Sequence, residues 1–279
     1  MKKIRLAKTA GFCFGVKRAL EIALATARRD PRCVMLGDIV HNEEVIRGVA
    51  RAGIRRVHRL TRGRGRALLI RAHGMPRAAR LKAESLGYRI VDATCPMVQE
   101  IHGIAADAER RGWPVIIIGD KEHDEVRGIV GQLRRPAIVI DSGIALPRAR
   151  LRKLKKAAVV TQSTQNMEKV LALVRELKTL IPRIRFTNTI CGPTRQKQNE
   201  IRSLPLANDA VVVIGSRSSA NTRRLYEIAK SLNPRTFWIR SARDLRRKWF
   251  KGVRTVGVTA GASTPDATTK SVVRALRRF

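Results

Sequence analysis

Three cysteines divide this chain into segments of similar organisation. Cys13, Cys95 and Cys191 each follow an apolar run typical of a β-strand, and each precedes a segment with helical periodicity. At such a junction, orphan backbone N–H groups and the helix dipole favour a thiolate, the form of cysteine that binds metals or attacks electrophiles. One cysteine of this kind indicates little, but three in one chain predict a shared centre.

Polar residues follow the three cysteines at a fixed distance. The interval is 28 residues each time, from Cys13 to His41, from Cys95 to His123 and from Cys191 to Ser219. A second apolar run in each segment ends in a polar loop, and these loops hold His73, Ser163 and Ser263. Such self-similarity indicates repeated supersecondary units, and the alternation of strands and helices predicts parallel α/β units.

The repeat also predicts domain boundaries. The last segment has no cysteine-bearing strand at its C-terminal end, but the N-terminal run can supply one. We therefore expect three small parallel α/β units, at 14–95, at 96–191, and at 192–279 completed by the strand in 1–13.

The polar loops lie where parallel sheets bind ligands, at the carboxyl ends of their strands. Imidazoles donate hydrogen bonds to phosphate, and Ser219 with Asn221 opens a helix, where they fit either a cap or a phosphate site. Glu125 has the chemistry for proton donation. Two residues fit the repeat less well: Cys33 opens a predicted strand over 33–40 and is expected to pack, and His102 fits either packing or a supporting role.

The composition is strongly basic, with 58 Lys and Arg against 22 Asp and Glu and a formal net charge of +36. Such charge attracts nucleic acid, but the cations are spread along the whole chain and aromatic side chains are scarce. A proteome-wide bias, an acidic redox partner or a phosphorylated substrate explains it equally well. No apolar run reaches the roughly 20 residues of a membrane helix, and no signal-peptide pattern follows Met1, so we expect a cytoplasmic protein.

Three thiolates leave the identity of the metal open. They could hold zinc with one open position, or a four-iron, four-sulfur cluster with one iron open to substrate. No C-x-x-C pair decides between the two.

The assembled motifs resemble the 4-hydroxy-3-methylbut-2-enyl diphosphate reductase family of the non-mevalonate isoprenoid pathway. The similarity covers nearly the whole chain. Its strongest stretches lie at 11–16, 40–42, 72–74, 92–98, 123–126, 161–164, 190–191 and 259–266.

The resemblance implies a pseudo-threefold trefoil around one oxygen-sensitive 4Fe-4S cluster per chain, held by Cys13, Cys95 and Cys191. It implies that the allylic diphosphate substrate is bound by His41, His73, His123, Ser219, Asn221 and Ser263. Glu125 and Ser163 would handle the proton, the products would be isopentenyl and dimethylallyl diphosphate, and a ferredoxin or flavodoxin would supply electrons. The alternatives are a nucleic-acid-binding protein on the same scaffold and a zinc-dependent hydrolase.

The chain departs from the family pattern at several positions. Ser163 stands where the family has Thr, Asp124 replaces a usual Pro, and Ala220 occupies a position where Ser or Gly is common. After Cys191, Gly192-Pro193 is unusual, and Lys197-Gln198 replaces Arg-Gln. We expect Asp124 to loosen the loop that holds His123 and Glu125.

Overall fold

The computed structural model describes residues 3–141 and 144–279, and in these ranges the chain forms three four-stranded parallel sheets. The predicted α/β class with three sheets is confirmed. The two inner strands of each sheet are almost wholly buried, and for that reason they are nearly continuous apolar runs in the sequence. Among the described helices, none is both long enough and apolar enough to cross a membrane.

The N-terminal sheet has the strand order β3-β2-β4-β5. Its strands and the helices of this part of the chain are α1 Phe14–Arg29, β2 Val34–Leu36, α2 Glu43–Arg51, β3 Arg55–Val57, β4 Ala67–Ile70, α3 Arg77–Ser85 and β5 Arg89–Asp92. The strand predicted over 33–40 is shorter than expected. It ends at Leu36 because Gly37 takes a φ of +80°, which leaves the extended region.

The middle sheet has the equivalent order β7-β6-β8-β9. Its elements are α4 Pro96–Arg110, β6 Val115–Ile118, α5 Asp124–Val130, β7 Ile138–Ile140, α6 Arg148–Leu151, β8 Lys156–Thr161, α7 Met167–Leu180 and β9 Arg183–Phe186. Helix α4 starts with Pro96 in its first turn, where the missing N–H costs nothing. It buries an apolar stripe, which includes Val98, Ile101 and Ala105.

The C-terminal sheet has the order β1-β12-β10-β11. Its elements are β1 Lys3–Leu6, α8 Gly192–Ser203, β10 Ala210–Ile214, α9 Ala220–Leu232, β11 Thr236–Ile239, β12 Thr255–Ala260 and α10 Asp266–Arg277. Two short 3-10 turns cover 242–244 and 247–250. The N-terminal strand β1 pairs in parallel with β12, so it supplies the fourth strand of this sheet, as the repeat predicted.

Contacts along the chain define two compact units. Unit one comprises 1–17, 40–48 and 192–279 and holds the C-terminal sheet, whereas unit two comprises 18–39 and 49–191 and holds the other two sheets. The three-domain boundaries inferred from the repeat stay a prediction.

Candidate active site

Each of the three cysteines lies directly before a helix. Helices α1, α4 and α8 begin at Phe14, Pro96 and Gly192. The strands before the cysteines end earlier than expected, at Leu6, Asp92 and Phe186, so loops of different length connect each strand to its cysteine. Negative charge on a ligating sulfur is stabilised at the positive end of a helix.

The same backbone hydrogen bond places each cysteine beside the neighbouring strand of its own sheet. In unit one, the N–H of Cys13 donates to the carbonyl of Ala262 at 3.1 Å. In unit two, the N–H of Cys95 donates to Ala72 at 3.0 Å, and that of Cys191 donates to Ser163 at 3.1 Å. All three side chains are half-buried, and thiolate sulfur is a ligand that suits both iron–sulfur clusters and zinc. Each of these thiols is therefore chemically suited to ligate either kind of metal centre.

The fourth cysteine, Cys33, has a different environment. It is 1% exposed, and burial raises the pKa of its thiol to about 11, with Asp30 contributing to the same effect. A thiol that stays protonated in an apolar core is a poor ligand. Cys33 therefore packs, as its sequence context indicated.

The first polar residue of each repeat lies five residues beyond a strand end. The strands β2, β6 and β10 end at Leu36, Ile118 and Ile214, and the corresponding residues are His41, His123 and Ser219. The equal intervals in the sequence therefore correspond to equal positions relative to the strands.

In unit one, the loops that carry His41, Ser219 and Ser263 are connected by hydrogen bonds. The Ser263 hydroxyl donates to the carbonyl of His41 at 3.1 Å. Ser216, just before Ser219, donates to the Glu43 carboxylate at 2.9 Å, which fixes the segment after His41. The Thr268 hydroxyl donates to Glu44. Glu43 and Glu44 could not be recognised as supporting residues from the sequence, because acids are common in the first turn of a helix.

Ser219 and Asn221 form the start of α9. Ser219 is the N-cap, and its hydroxyl accepts the N–H of Thr222 at 3.3 Å. Asn221 is 4% exposed, and within the described ranges its Nδ2 has no hydrogen-bond acceptor. A buried amide donor without a partner costs free energy unless a ligand or water satisfies it. This atom therefore marks a position where an anionic oxygen can bind.

In unit two, His73 and His123 contact each other directly. Their rings meet edge to face with a centroid distance of 5.4 Å. His123 is the N-cap of α5, and its Nδ1 accepts the N–H of Glu125 at 3.1 Å. Because a neutral imidazole with an accepting Nδ1 carries its proton on Nε2, His123 presents Nε2–H as a donor.

Glu125 and Ser163 form the most tightly organised pair of the site. Glu125 is 2% exposed, and its two carboxyl oxygens accept the Ser163 N–H at 2.6 Å and the Ser163 hydroxyl at 2.9 Å. Burial raises the pKa of Glu125 to about 7 and the Asp120 carboxylate adds to the rise, against the lowering effect of the two bonds from Ser163. A carboxyl group with this pKa is suited to general acid catalysis near neutral pH.

The Asp124 side chain, which stands where the family has proline, has a partner on the loop that leads to His73. The Asp124 carboxylate forms an ion pair with Arg71 at 2.6 Å, and both side chains are about one fifth exposed. The ion pair adds one contact to the loop, and the expectation that Asp124 loosens it stays a prediction. The Gln132 side chain also donates to the carbonyls of Met75 and Gly128, each at 2.9 Å, which ties the His73 loop to the end of α5.

His102 packs against the loop after His73 and against helix α5. Its ring lies so close to Gly74 and Gly128 that a Cβ on either glycine would come within 3.3 Å of it. Burial lowers the pKa of His102 to about 4, although Asp92 acts in the opposite direction, so the ring is neutral at physiological pH. Of the two roles considered for His102, packing is the one its contacts support.

Known proteins resemble this chain over its whole length. The model of the LytB protein family matches residues 4–277. The 4-hydroxy-3-methylbut-2-enyl diphosphate reductase of Geobacter sulfurreducens is 39% identical over 277 residues, covering 99% of this chain and 98% of that protein. The enzyme of the same name from Aquifex aeolicus is 36% identical over 274 residues, covering 95% and 93%.

Solved structures agree with the sequence relatives. A structure of (E)-4-hydroxy-3-methyl-but-2-enyl diphosphate reductase covers 100% of both chains with a TM-score of 0.73 and 34% identity. The Plasmodium falciparum E-1-hydroxy-2-methyl-but-2-enyl-4-diphosphate reductase covers 98% of this chain and 87% of that one, with a TM-score of 0.88 and 27% identity. The chain is therefore an oxidoreductase, and it belongs to the LytB protein family.

Proposed function

We propose that this protein reduces 4-hydroxy-3-methylbut-2-enyl diphosphate to isopentenyl diphosphate and dimethylallyl diphosphate. The reaction takes up two electrons and two protons, breaks the C–O bond to the hydroxyl group, and releases that oxygen as water. The observation that carries the proposal is the buried Glu125 carboxyl, which Ser163 orients and which has a pKa of about 7. Relatives that bear this activity in their names match the chain from end to end and add support.

We assign Cys13, Cys95 and Cys191 as the ligands of one 4Fe-4S cluster, because LytB proteins are iron–sulfur enzymes. The support is their shared position before a helix and their shared backbone hydrogen bond. The assignment requires the three sheets to present these cysteines to one centre, as the repeat predicts. When bound, the cluster supplies electrons and a Lewis-acidic iron.

The diphosphate is bound by His41, His73, His123, Ser219, Asn221 and Ser263. Two of these residues offer well-defined donors, namely the buried Nδ2 of Asn221 and the Nε2–H of His123. Ser219 opens helix α9, and the first amide groups of a helix bind phosphate well. Binding the diphosphate at these donors holds the substrate hydroxyl in a defined position and so lowers the entropic part of the barrier.

Glu125 delivers the proton that lets the hydroxyl leave as water. At pH 7 about half of the Glu125 side chains hold a proton, because the pKa is about 7. The two hydrogen bonds from Ser163 fix the carboxyl in one orientation, and burial keeps bulk water from competing for the proton. Ser163 therefore fixes the geometry of Glu125, while burial, against the lowering effect of the Ser163 hydrogen bonds, raises its pKa.

The electron donor and the location of the protein are further parts of the proposal. A basic chain with a formal charge of +36 suits an acidic ferredoxin or flavodoxin, because opposite charges accelerate protein association. We place the protein in the cytoplasm, where reducing conditions keep cysteine thiols available as ligands.

Anaerobic purification and assay test the proposal. The wild-type protein should be brown, carry about four irons and convert the diphosphate substrate with a chemical reductant. Glu125→Gln should abolish turnover while iron content and substrate binding persist. Glu122→Gln is the matched control, since Glu122 lies three residues earlier on an exposed position and pairs with Arg127.

Other results would contradict the assignment. A colourless protein that binds only zinc after anaerobic reconstitution would favour the hydrolase alternative. Binding of RNA or duplex DNA that persists at about 0.2 M salt, without reductase activity, would favour the nucleic-acid alternative. Full activity in Glu125→Gln would remove this residue from the mechanism.

A further inference from the structure

A lysine side chain is buried in unit one, beside the loop that leads to Cys13. Lys197, on helix α8, is 3% exposed. Its ammonium group donates to the carbonyls of Gly11 at 3.0 Å and Ala260 at 3.3 Å, and also to that of Thr9. Burying an ammonium ion is costly unless its three protons find acceptors, and here three backbone carbonyls provide them.

An acid on the same face of α8 holds the same loop. Glu200, one turn after Lys197, accepts the N–H groups of Lys8 at 2.5 Å and Thr9 at 2.9 Å and the Thr9 hydroxyl at 2.5 Å. Partial burial would raise the pKa of Glu200, but the hydrogen bonds from Thr9 and Lys8 lower it, so the group stays ionised. Helix α8 therefore binds both the amide groups and the carbonyl groups of one short loop.

This loop needs such support because its backbone is irregular. Gly11 takes a φ of +95°, and residues 8–12 form no strand or helix before Cys13. The backbone bond from Cys13 to Ala262 and the weaker one from Gly11 to Ala260, at 3.4 Å, connect this loop to β12 and the loop that follows it. Side chains that fix the loop therefore also fix the direction in which Cys13 leaves it.

We propose that Lys197 and Glu200 are positioning residues that hold the Cys13 loop in its metal-binding conformation, and that their charges act on the bound cluster. This inference rests on the proposed assignment of Cys13 as a cluster ligand. Groups that orient a metal ligand typically change metal affinity when they are removed, although they do not touch the metal. A buried positive charge also stabilises the reduced, more negative cluster, and a buried negative charge has the opposite effect.

Four variants of the full chain test the proposal. Lys197→Met removes the charge and the donors, Lys197→Arg keeps a cation, and Glu200→Gln removes the negative charge. Lys8→Met is the matched control, because it removes a cation from the same loop at an exposed position. Each protein is reconstituted anaerobically, and iron release to a chelator and the cluster's midpoint potential are measured.

We expect Lys197→Met to retain iron about 10–100-fold less well than the wild type, as is typical for the loss of a supporting partner. Glu200→Gln should also retain iron less well than the wild type. Lys197→Arg should retain it nearly as well as the wild type, and Lys8→Met should be unchanged. The potential should fall in Lys197→Met and rise in Glu200→Gln. A role in general folding alone would not move the potential in opposite directions.

Hydrogen exchange in the iron-free protein supplies a readout that does not depend on the cluster. The amides of residues 9–13 should exchange faster in Lys197→Met and Glu200→Gln than in the wild type and Lys8→Met. If Lys197→Met fails to fold, then Glu200→Gln decides. The proposal is overturned if this variant matches the wild type in hydrogen exchange, iron retention and midpoint potential.

The test separates this inference from the proposed function. A wild-type chain that takes up no iron would overturn the proposed function and the positioning role with it. A wild type that loads fully, together with a Lys197→Met variant that loads and exchanges identically, would overturn the positioning role alone.

Discussion

The protonation of Glu125 should control how the reaction rate depends on pH. With a pKa of about 7, the protonated fraction falls from about ten elevenths at pH 6 to one eleventh at pH 8. The rate of the proton-dependent step should therefore fall about tenfold over this interval. A carboxyl group at the ordinary value of 4.5 would instead give a fall of about 100-fold, so the slope reports the shift.

Two substitutions should move this pH profile in opposite directions. Asp120→Asn removes a negative charge that raises the pKa of Glu125, so the fall in rate should move to lower pH. Asn keeps an oxygen for the Gln165 amide, which donates to Asp120 at 3.1 Å, so the local structure should persist. Ser163→Ala removes a hydrogen bond that lowers the pKa, so the fall should move to higher pH, while the backbone N–H of residue 163 still binds Glu125.

Single-turnover measurements are the appropriate assay, because a pre-reduced enzyme removes the pH dependence of the chemical reductant. Product formed after anaerobic mixing with substrate would be measured between pH 5.5 and 9 for the wild type and both variants. A wild-type rate that stays constant from pH 6 to pH 8 would refute the reasoning. Shifts of the two variants in the same direction would refute the assigned roles of Asp120 and Ser163.

Further predictions concern stability and the fourth cysteine. Because burial raises the pKa of Glu125 above its unfolded value, the protonated carboxyl contributes fully to stability below pH 4.5, and this contribution is lost as pH rises through 7. The pH-dependent part of the free energy of unfolding is about 3 kcal/mol. Glu125→Gln should remove this dependence in urea titrations across the same pH range. Gly131→Ala should lower the free energy of unfolding by about 1–3 kcal/mol, since its Cβ would lie 2.4 Å from the Cβ of Pro76. Gly103→Ala, in open space within α4, should raise it by up to about 1 kcal/mol, and the absence of this contrast in urea midpoints would contradict both expectations. Cys33→Ala should lower the free energy of unfolding by about 1 kcal/mol but keep the wild-type iron content. A lower iron content would make Cys33 part of the metal site.

Much of the fold could be predicted because parallel strands leave a strong pattern. A strand covered on both faces is apolar throughout, as in Val115–Ile118 and Ala210–Ile214, and such runs are visible without any structure. The constant interval of 28 residues then aligned the three sheets with one another. The completion of the last sheet by the N-terminal strand followed from the same comparison, because the last segment otherwise lacked its cysteine-bearing strand, and the structure shows that this strand pairs with β12.

Local interruptions of the pattern were less visible. Gly37 ends β2 four residues before the predicted end, since a positive φ is a property of the backbone that neighbouring apolar residues such as Ile39 conceal. The ion pair of Asp124 was invisible in the sequence for a related reason. Its partner Arg71 is 53 residues away in the sequence, and only the folded chain brings the two together.

The sequence by itself determined the α/β class, the threefold repeat of the sheets and the set of candidate residues, because these depend on hydrophobic pattern and on spacing along the chain. Tertiary structure alone decided how those residues differ from their free forms. Glu125 acquires a pKa of about 7 through burial near Asp120, and Lys197 becomes a buried clamp for carbonyls as far as 188 residues away. Dielectric environment and hydrogen-bond partners are set by distances in space, and the order of residues does not contain them.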